Sequence, residues 1–192
     1  MKVCILGDTH IGARNGAKIF SEYFNRFFTE VFFPYLLKND IKLIIQLGDI
    51  LDNRKNINVQ SITDGHEYFF DKLEEYDIKM ITILGNHDIF FKNTLKVNSP
   101  SLLLKSKNIE IVDKPTEIII DGSSLLFLPW ICEENKTESL EAVSNSKSDI
   151  CFGHLEFSGF AMYRGIIAHD GMDSVGFSNF EYVFTGHYHC KS

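Results

Sequence analysis

Basic residues are in the minority: 19 lysines and arginines face 26 aspartates and glutamates, a net charge of −7. Taken alone, this speaks against a nucleic-acid binder, because phosphate-binding surfaces are usually basic. The objection weakens if some of the carboxylates hold divalent cations, since a bound ion can be the largest local charge in a site. Cysteine is scarce too. Cys4, Cys132, Cys151 and Cys190 form no CxxC pair, which removes the spacing of a zinc finger. Cys4 and Cys151 lie in apolar runs and read as small buried thiols of a reducing cytoplasm, while Cys190 sits near an end expected to fray. No apolar run approaches the roughly 18 residues of a membrane helix. Met1-Lys2 leads at once into Val3-Cys4-Ile5-Leu6, a run too short for a signal peptide, so a cytoplasmic protein with no membrane role is expected. Repeats, low-complexity tracts and linkers are also missing. What remains is one domain of 192 residues, long enough to bury a core without disulfides, with 17 phenylalanines to help build it.

Strand and helix patterns alternate along the first half. Residues 2–7, 42–47 and 78–84 are apolar runs that read as strands. Between them, residues 18–38 place Phe20, Phe24, Phe27, Phe28, Val31 and Phe32 at helical spacing, with Pro34 expected to kink or shorten the helix. Residues 59–76 repeat the pattern with Ile62, Phe69, Phe70 and Leu73. Such β-α-β-α-β order predicts a parallel sheet covered by helices. The second half has a short helix at 100–105, then strands at 109–112, 116–120 and 124–129 with an Asp121-Gly122 hairpin turn. An acidic helix at 133–145 and strands at 148–152 and 181–185 follow. These predict a second, mixed or antiparallel sheet packed on the first. Residues 155–180 hold four glycines and little periodicity, and read as a functional loop or lid.

The polar residues are not scattered. Five strands each run into a glycine-led cluster: Gly7-Asp8-Thr9-His10, Gly48-Asp49-Ile50-Leu51-Asp52, Gly85-Asn86-His87-Asp88, Gly153-His154 and Gly186-His187-Tyr188-His189. Ligands in open α/β sheets bind beyond the carboxyl ends of strands, so these clusters are expected on one rim. Glycine at the head of each lets the backbone turn and approach closely. Imidazoles with carboxylate and amide oxygens suit Mn²⁺, Fe²⁺ or Zn²⁺ better than Ca²⁺. The inventory suffices for two ions, which together clamp a phosphoryl group and activate a water. A bridging carboxylate must sit centrally, and Asp49 is the candidate. The bland alternatives are helix caps for Asp8 or Asp49 and a hydrogen-bonded core position for His154. Tyr188 reads as packing and His66 as helix surface; His169, in the glycine-containing loop, is a weak candidate for touching substrate.

Asp8-x-His10, Gly48-Asp49-x-x-Asp52, Gly85-Asn86-His87-Asp88, Gly153-His154 and Gly186-His187-x-His189, in this order, resemble the five motifs of the calcineurin-like metallophosphoesterases. The resemblance implies an α/β fold, the αββα sandwich of two packed mixed sheets flanked by helices, with residues 1–192 as a single catalytic domain. It implies that Asp8, His10, Asp49 and His189 hold one metal, and that Asp49, Asn86, His154 and His187 hold the other. His87 is then the group that stabilises or protonates the leaving oxygen, and the Asp52 carboxylate hydrogen-bonds to His87 and orients it. Asp88 is either part of the site or the cap of its turn.

Within that superfamily, ILGDTHIG, GDILDNRK, the stretch after Asn86, Pro129-Trp130 and Gly153-His154-Leu155-Glu156-x-x-Gly159 are similar to the SbcD-like repair nucleases. DKPT at 113–116 and PWICEEN at 129–135 are most like the branch found in T-even-type phages. The resemblance implies a Mn²⁺-dependent DNA exonuclease and endonuclease of recombination or double-strand-break repair, working with an SbcC-like coiled-coil ATPase in the host cytoplasm. It also implies a homodimer through the helices around 59–76 and 95–106. Arg14, Arg54, Lys55, Lys92, Lys96 and Arg164 follow the motifs or lie in the glycine-containing loop, and are candidate phosphate contacts. SbcD-like nucleases continue with further strands, a capping domain and an ATPase-binding segment, so the chain, which stops three residues after His189, reads as their catalytic core. Two rival readings stand beside this one. A phosphomonoesterase or phosphoprotein phosphatase would share the motifs but present a narrow pocket. A subunit that only binds DNA predicts a broken motif, and none is broken.

Overall fold

The computed structural model describes residues 1–189; the expectation for Cys190 falls outside the described residues. The chain begins with β1 (Cys4–Leu6) and a turn, α1 (Ala13–Gly16), in which Arg14 and Asn15 are left-handed rather than helical. α2 (Lys18–Arg26) runs through a wider, π-type turn at Phe27–Phe32 into α3 (Phe33–Lys38). Pro34 therefore does not end the helix. The bonding shifts ahead of it, so that the Phe33 N–H reaches back five residues to the Phe28 carbonyl, and the proline's missing N–H is absorbed in the new register. The second helical stretch does the same: α4 (Val59–Gly65), a π-type turn at His66–Phe70, and α5 (Asp71–Glu75).

β2 (Leu43–Gln46), β3 (Lys79–Ile83), α6 (Ser99–Leu103) and β4 (Ile109–Val112) complete the first sheet, whose order is β1-β2-β3-β4 with every pairing parallel. All four residues of β2 are buried, as a strand covered on both faces requires. β4 was expected to belong with the later strands; it pairs instead with β3, Met80 opposite Ile109. The second sheet is formed by β5 (Thr116–Ile120), β6 (Ser123–Leu128), β7 (Ile150–His154) and β10 (Tyr182–Gly186), in the order β10-β7-β6-β5, with α7 (Lys136–Asn145) between β6 and β7. It is mixed: β5 and β6 are antiparallel across Asp121-Gly122, both at positive φ, and the other pairings are parallel. Residues 155–180 are more ordered than their composition predicts. They carry a small hairpin, β8 (Ala161–Tyr163) with β9 (Ile166–Ile167), and a 3₁₀ turn at Ser174–Phe177.

Three apolar layers hold this together. Between the helices and the first sheet lie Phe28, Phe33, Phe69, Leu73, Ile44 and Met80. Between the sheets, Ile45, Ile83, Phe127 and Phe152 interdigitate. Leu126, Cys151, Val143 and Phe177 seal the far face of the second sheet under α7. The result is the α-β-β-α layering. Phe69 is fully buried, with ring centres 4.6 Å from Phe28 and 5.3 Å from Phe70. Phe69→Ala is expected to lower unfolding free energy by about 3–5 kcal/mol in denaturant titration, because a ring-sized cavity opens among neighbours that are themselves packed. No helix among the described residues is long and apolar enough to cross a membrane.

Candidate two-metal centre

β1, β2 and β3 of one sheet and β7 and β10 of the other deliver their carboxyl ends to a common rim, which is where the five clusters lie. Their side chains converge in two groups. Asp8, His10 and His189 offer ligand atoms within 4.8 Å of one another, and so do Asp49, His154 and His187. In the first group, His189 Nε2 stands 3.1 Å from Asp8 Oδ2 and 3.2 Å from His10 Nε2. In the second, Asn86 Oδ1 lies 3.0 Å from His154 Nε2 and 2.9 Å from His187 Nδ1. One oxygen faces both: Asp49 Oδ2 is 3.4 Å from His154 Nε2 and 3.9 Å from His10 Nε2. Nitrogen lone pairs and carboxylate oxygens pointing into the same small volumes are the donor set of a divalent transition ion, so these residues fit a pair of such ions.

The backbone is strained to achieve this. His10, Asp49 and His187 all have positive φ, at 43°, 53° and 88°. Side-chain-bearing residues in this region are uncommon and persist only where the surroundings hold them. Gly85 has to be glycine because an added Cβ would run into the Asp49 main-chain nitrogen and carboxylate. Gly48 is at φ 90°, with Gly85 and His154 packed against it. Gly7 differs: nothing lies within 4 Å of the space its Cβ would take, so the expectation of close approach does not hold there.

A second set of contacts orients the rings. His154 is completely buried, and its Nδ1 donates to the Leu47 carbonyl at 2.7 Å, which leaves Nε2 as the ligand atom. His187 Nε2 looks away from the centre toward Glu156 Oε1 at 3.8 Å. Buried His10 Nδ1 has no hydrogen bond and faces Asp52 Oδ1 at 3.5 Å. This corrects one expectation: the Asp52 carboxylate turns toward His10. His87 is oriented instead by the Asp52 main-chain carbonyl, 2.5 Å from its Nδ1. The Asp49 carboxylate also accepts the His87 N–H at 2.7 Å, tying the central carboxylate to the same loop.

Asp88 has a larger role than a simple turn cap. It is fully buried, and its Oδ2 accepts from the N–H groups of Gly85 at 2.8 Å and Asp49 at 2.9 Å. Its Oδ1 accepts from Ile50 at 3.0 Å, and Leu51 N–H lies at 3.5 Å. One carboxylate thus clamps two motif-bearing loops. Asp88→Asn must turn an NH₂ toward N–H donors whichever way the amide points. At about 1–3 kcal/mol for each N–H left unpaired, a fall in melting temperature of roughly 10 °C is expected in a thermal scan.

Electrostatics centre on Asp49. Burial alone would raise its carboxyl, but the hydrogen bond and charge of His154 and the His87 N–H hold it at about 2. His154 shows the reverse balance: burial works against its charge, and Asp49, Asp8 and the Leu47 carbonyl raise it to about 9. Burial, followed by the charge of His154, lowers His187 to about 4. For Asp88, burial and the neighbouring Asp49 push the carboxyl up to about 7, against the pull of its N–H donors.

The other candidates divide. Arg54 reaches the site, but its Nε, 3.1 Å from the Asn86 carbonyl, and its Nη2 are spent on holding the Asn86 loop. Lys55 lies over the Phe90 ring at 5.5 Å. Lys96 pairs with Glu134 at 2.6 Å. Arg14 and Arg164 are exposed, Arg164 in the β8–β9 turn. His66 contacts Asp71 at 2.9 Å, and the Tyr188 hydroxyl donates to the Phe157 carbonyl, a packing role. His169 is exposed. Sequence reasoning passed over Trp130 as a site residue. Its ring centre lies 5.1 Å from that of His187 and 5.9 Å from that of His154, and the available signal was its position just after β6, on the same rim.

A fold of two such sheets carrying these five clusters defines a phosphoesterase centre, and the chain belongs to the calcineurin-like phosphoesterase family, which it matches over residues 1–191. Its relatives include exonuclease subunit 1 of Enterobacteria phage T4, 36% identical over 199 aligned positions that cover 100% of this chain and 56% of that protein. A putative phosphoesterase, 078R, of Invertebrate iridescent virus 3 is 23% identical and is covered over 54% of its length. The chain thus spans about half the length of these relatives. Among solved structures, AQ665 of Aquifex aeolicus, a protein of unknown function, shares the fold with a TM-score of 0.50 at 15% identity, over 96% of this chain and 89% of that one.

Proposed function

We propose that this chain is the catalytic domain of a metal-dependent DNA nuclease that hydrolyses phosphodiester bonds. The observation that carries the hydrolytic reading is the single Asp49 oxygen facing both donor groups. Asp8, His10, Asp49 and His189 hold one divalent ion, and Asp49, Asn86, His154 and His187 the other; Mn²⁺ suits the mixed nitrogen and oxygen donors. Once bound, the ions supply Lewis-acid charge stabilisation and lower the pKa of water. The protein's own groups do the rest. Asp52's carbonyl accepts from His87 Nδ1–H and orients the ring, so that the imidazolium form of His87 has its Nε2–H free to give to the departing oxygen. Arg54 and Asp88 hold the loops that carry Asn86 and Asp49 in register.

Support for DNA comes from the cavity beside His87. It has about 530 Å³ and is lined by Asp52, Asn53, Arg54, Lys92 and Trp130, room and charge enough for a nucleotide chain. The T4 relative is an exonuclease subunit, and the resemblance of the motifs extends this to recombination or repair beside an SbcC-like ATPase in the host cytoplasm. Self-association through the helices around 59–76 and 95–106 is part of the same proposal; Val59 and Leu102 there are strongly exposed.

The test is a cleavage assay on end-labelled DNA and on 4-nitrophenyl phosphate, with Mn²⁺ and with chelator. DNA is expected to be cut only with the metal, and the monoester far more slowly. Preference for the monoester would overturn the nuclease reading in favour of a phosphatase.

A further inference from the structure

One polar side chain interrupts the buried run of β2: Gln46, between Ile45 and Leu47, with no exposed surface. A buried amide is costly unless its hydrogen bonds are made. Here its oxygen and its NH₂ are both fully used. Oε1 accepts from the Thr82 hydroxyl at 2.6 Å and from the Gly48 N–H at 2.9 Å. Nε2 donates to the Gly48 carbonyl at 2.7 Å and to the Gly7 carbonyl at 3.3 Å. Only an NH₂ can meet two carbonyls, so the amide has one orientation. We infer that Gln46 is a positioning residue of the metal centre: it fixes the separation of Asp8 from Asp49, and with it the ion on the Asp8 side. The inference rests on the two-ion reading above and adds to it the group that sets one of the two ion sites.

Three observations carry it. The partners of Nε2 are the peptide groups that immediately precede the two carboxylates: the Gly7 carbonyl leads into Asp8, and the Gly48 carbonyl into Asp49. The second observation is a gap in the bonding between these loops. The ladder of β1 and β2 ends where the Leu47 N–H meets the Leu6 carbonyl at 2.9 Å, and the loops meet again where the Thr9 and His10 N–H groups reach the Asp49 carbonyl. Gly7 and Asp8 span the gap. Packing does not locate Gly7, which has open space where a Cβ would lie. Among the described residues, the hydrogen bond to the Asp49 loop across this gap comes from Gln46. Asp49, by contrast, is tied to the Asn86 loop without Gln46, through Asp88 and the His87 N–H. The third observation is that the amide is itself braced. Thr82 stands directly opposite Gln46 on β3, fully buried, and its hydroxyl fixes Oε1 on that side. Loss of the amide therefore frees Asp8 relative to Asp49. The side built from Asp8, His10 and His189 is disturbed, while the side built from Asn86, His154 and His187 keeps its hold on Asp49. An amide that only filled the core would loosen both sides alike.

The test is a calorimetric titration of the chain with Mn²⁺. His189→Ala, which lacks one donor of the Asp8 side alone, identifies the binding step that belongs to that side. Gln46→Met keeps the length of the side chain and removes the amide's bonds. It is expected to weaken the Asp8-side step on the order of 10-fold, the usual cost of losing a partner behind a ligand, and to leave the other step at the parental value. Weakening of both steps alike, or of neither, overturns the inference. If a thermal melt shows that Gln46→Met does not fold, Thr82→Val and Thr82→Ser carry the test. The valine is expected to weaken the same step, and the serine, which keeps the hydroxyl, to restore it. A valine variant that binds Mn²⁺ as the serine variant does overturns the inference. A parent that takes up a single Mn²⁺ per chain overturns the two-ion reading and the inference with it. A parent with two ions and a folded Gln46→Met that titrates identically overturns the inference alone.

Discussion

His87→Ala is expected to load metal as the parent does and to cut DNA about 10²–10⁴-fold more slowly, the usual cost of removing a positioned general acid. The geometry separates the two functions. His87 lies outside both donor groups, and its ring stands edge-on to His10 with centres 4.9 Å apart. What connects His87 to Asp49 is its main-chain N–H, which an alanine keeps. The side chain alone is held by the Asp52 carbonyl. Isothermal titration with Mn²⁺ alongside single-turnover cleavage checks both halves. A variant that cuts at the parental rate would refute the role, and one that no longer binds metal would show the ring to be part of the metal shell.

Asp49→Ala is expected to abolish loading of both ions, and activity with them. Among the described residues, Asp49 is the carboxylate with a single oxygen near both His10 Nε2 and His154 Nε2, whereas Asp8 approaches those rings with different oxygens, each at 4.0 Å, and meets His154 at Nδ1. The residue is buried on the rim, at the end of β2 between β1 and β3. Removing it also strands His154, whose charge Asp49 sustains, in a fully buried position. Two ions per chain in the variant, measured by elemental analysis after gel filtration, would contradict the shared position. A thermal melt shows whether the variant still folds, which keeps loss of metal distinct from loss of structure.

These expectations descend from what could be read in the linear sequence. The strand-then-glycine punctuation placed Asp8, Asp49, Asn86, His154 and His187 at strand ends, and the structure brings them together. Hydrophobic periodicity located the long helices; Pro34, expected to kink or shorten the first of them, is accommodated by a π-type turn. Assignments that depend on a neighbour distant in sequence fared worse. Asp52 was matched with His87, yet its carboxylate faces His10 and only its carbonyl reaches His87. A spacing of residues cannot say which atom of a residue points where. Arg54 read as a phosphate contact because it is cationic and follows a motif; what the sequence did not show is that its guanidinium, while lining the cavity beside His87, also holds the Asn86 carbonyl, a partner 32 residues away. β4 looked like part of the later strand run because it is adjacent in sequence, but pairing depends on which sheet edge is free, and that edge was β3.

By itself, then, the sequence determined the class of chemistry, since residue type and order are local properties: five metal-capable clusters, each at the end of an apolar run. Only the tertiary structure decided the couplings. It set the Asp88 clamp on two loops, the Gln46 amide between the Gly7 and Gly48 carbonyls, and the choice of the Asp52 carbonyl over its carboxylate. Each of these joins residues tens of positions apart or depends on a torsion angle, and such quantities are settled by how the two sheets pack rather than by any neighbour in the chain.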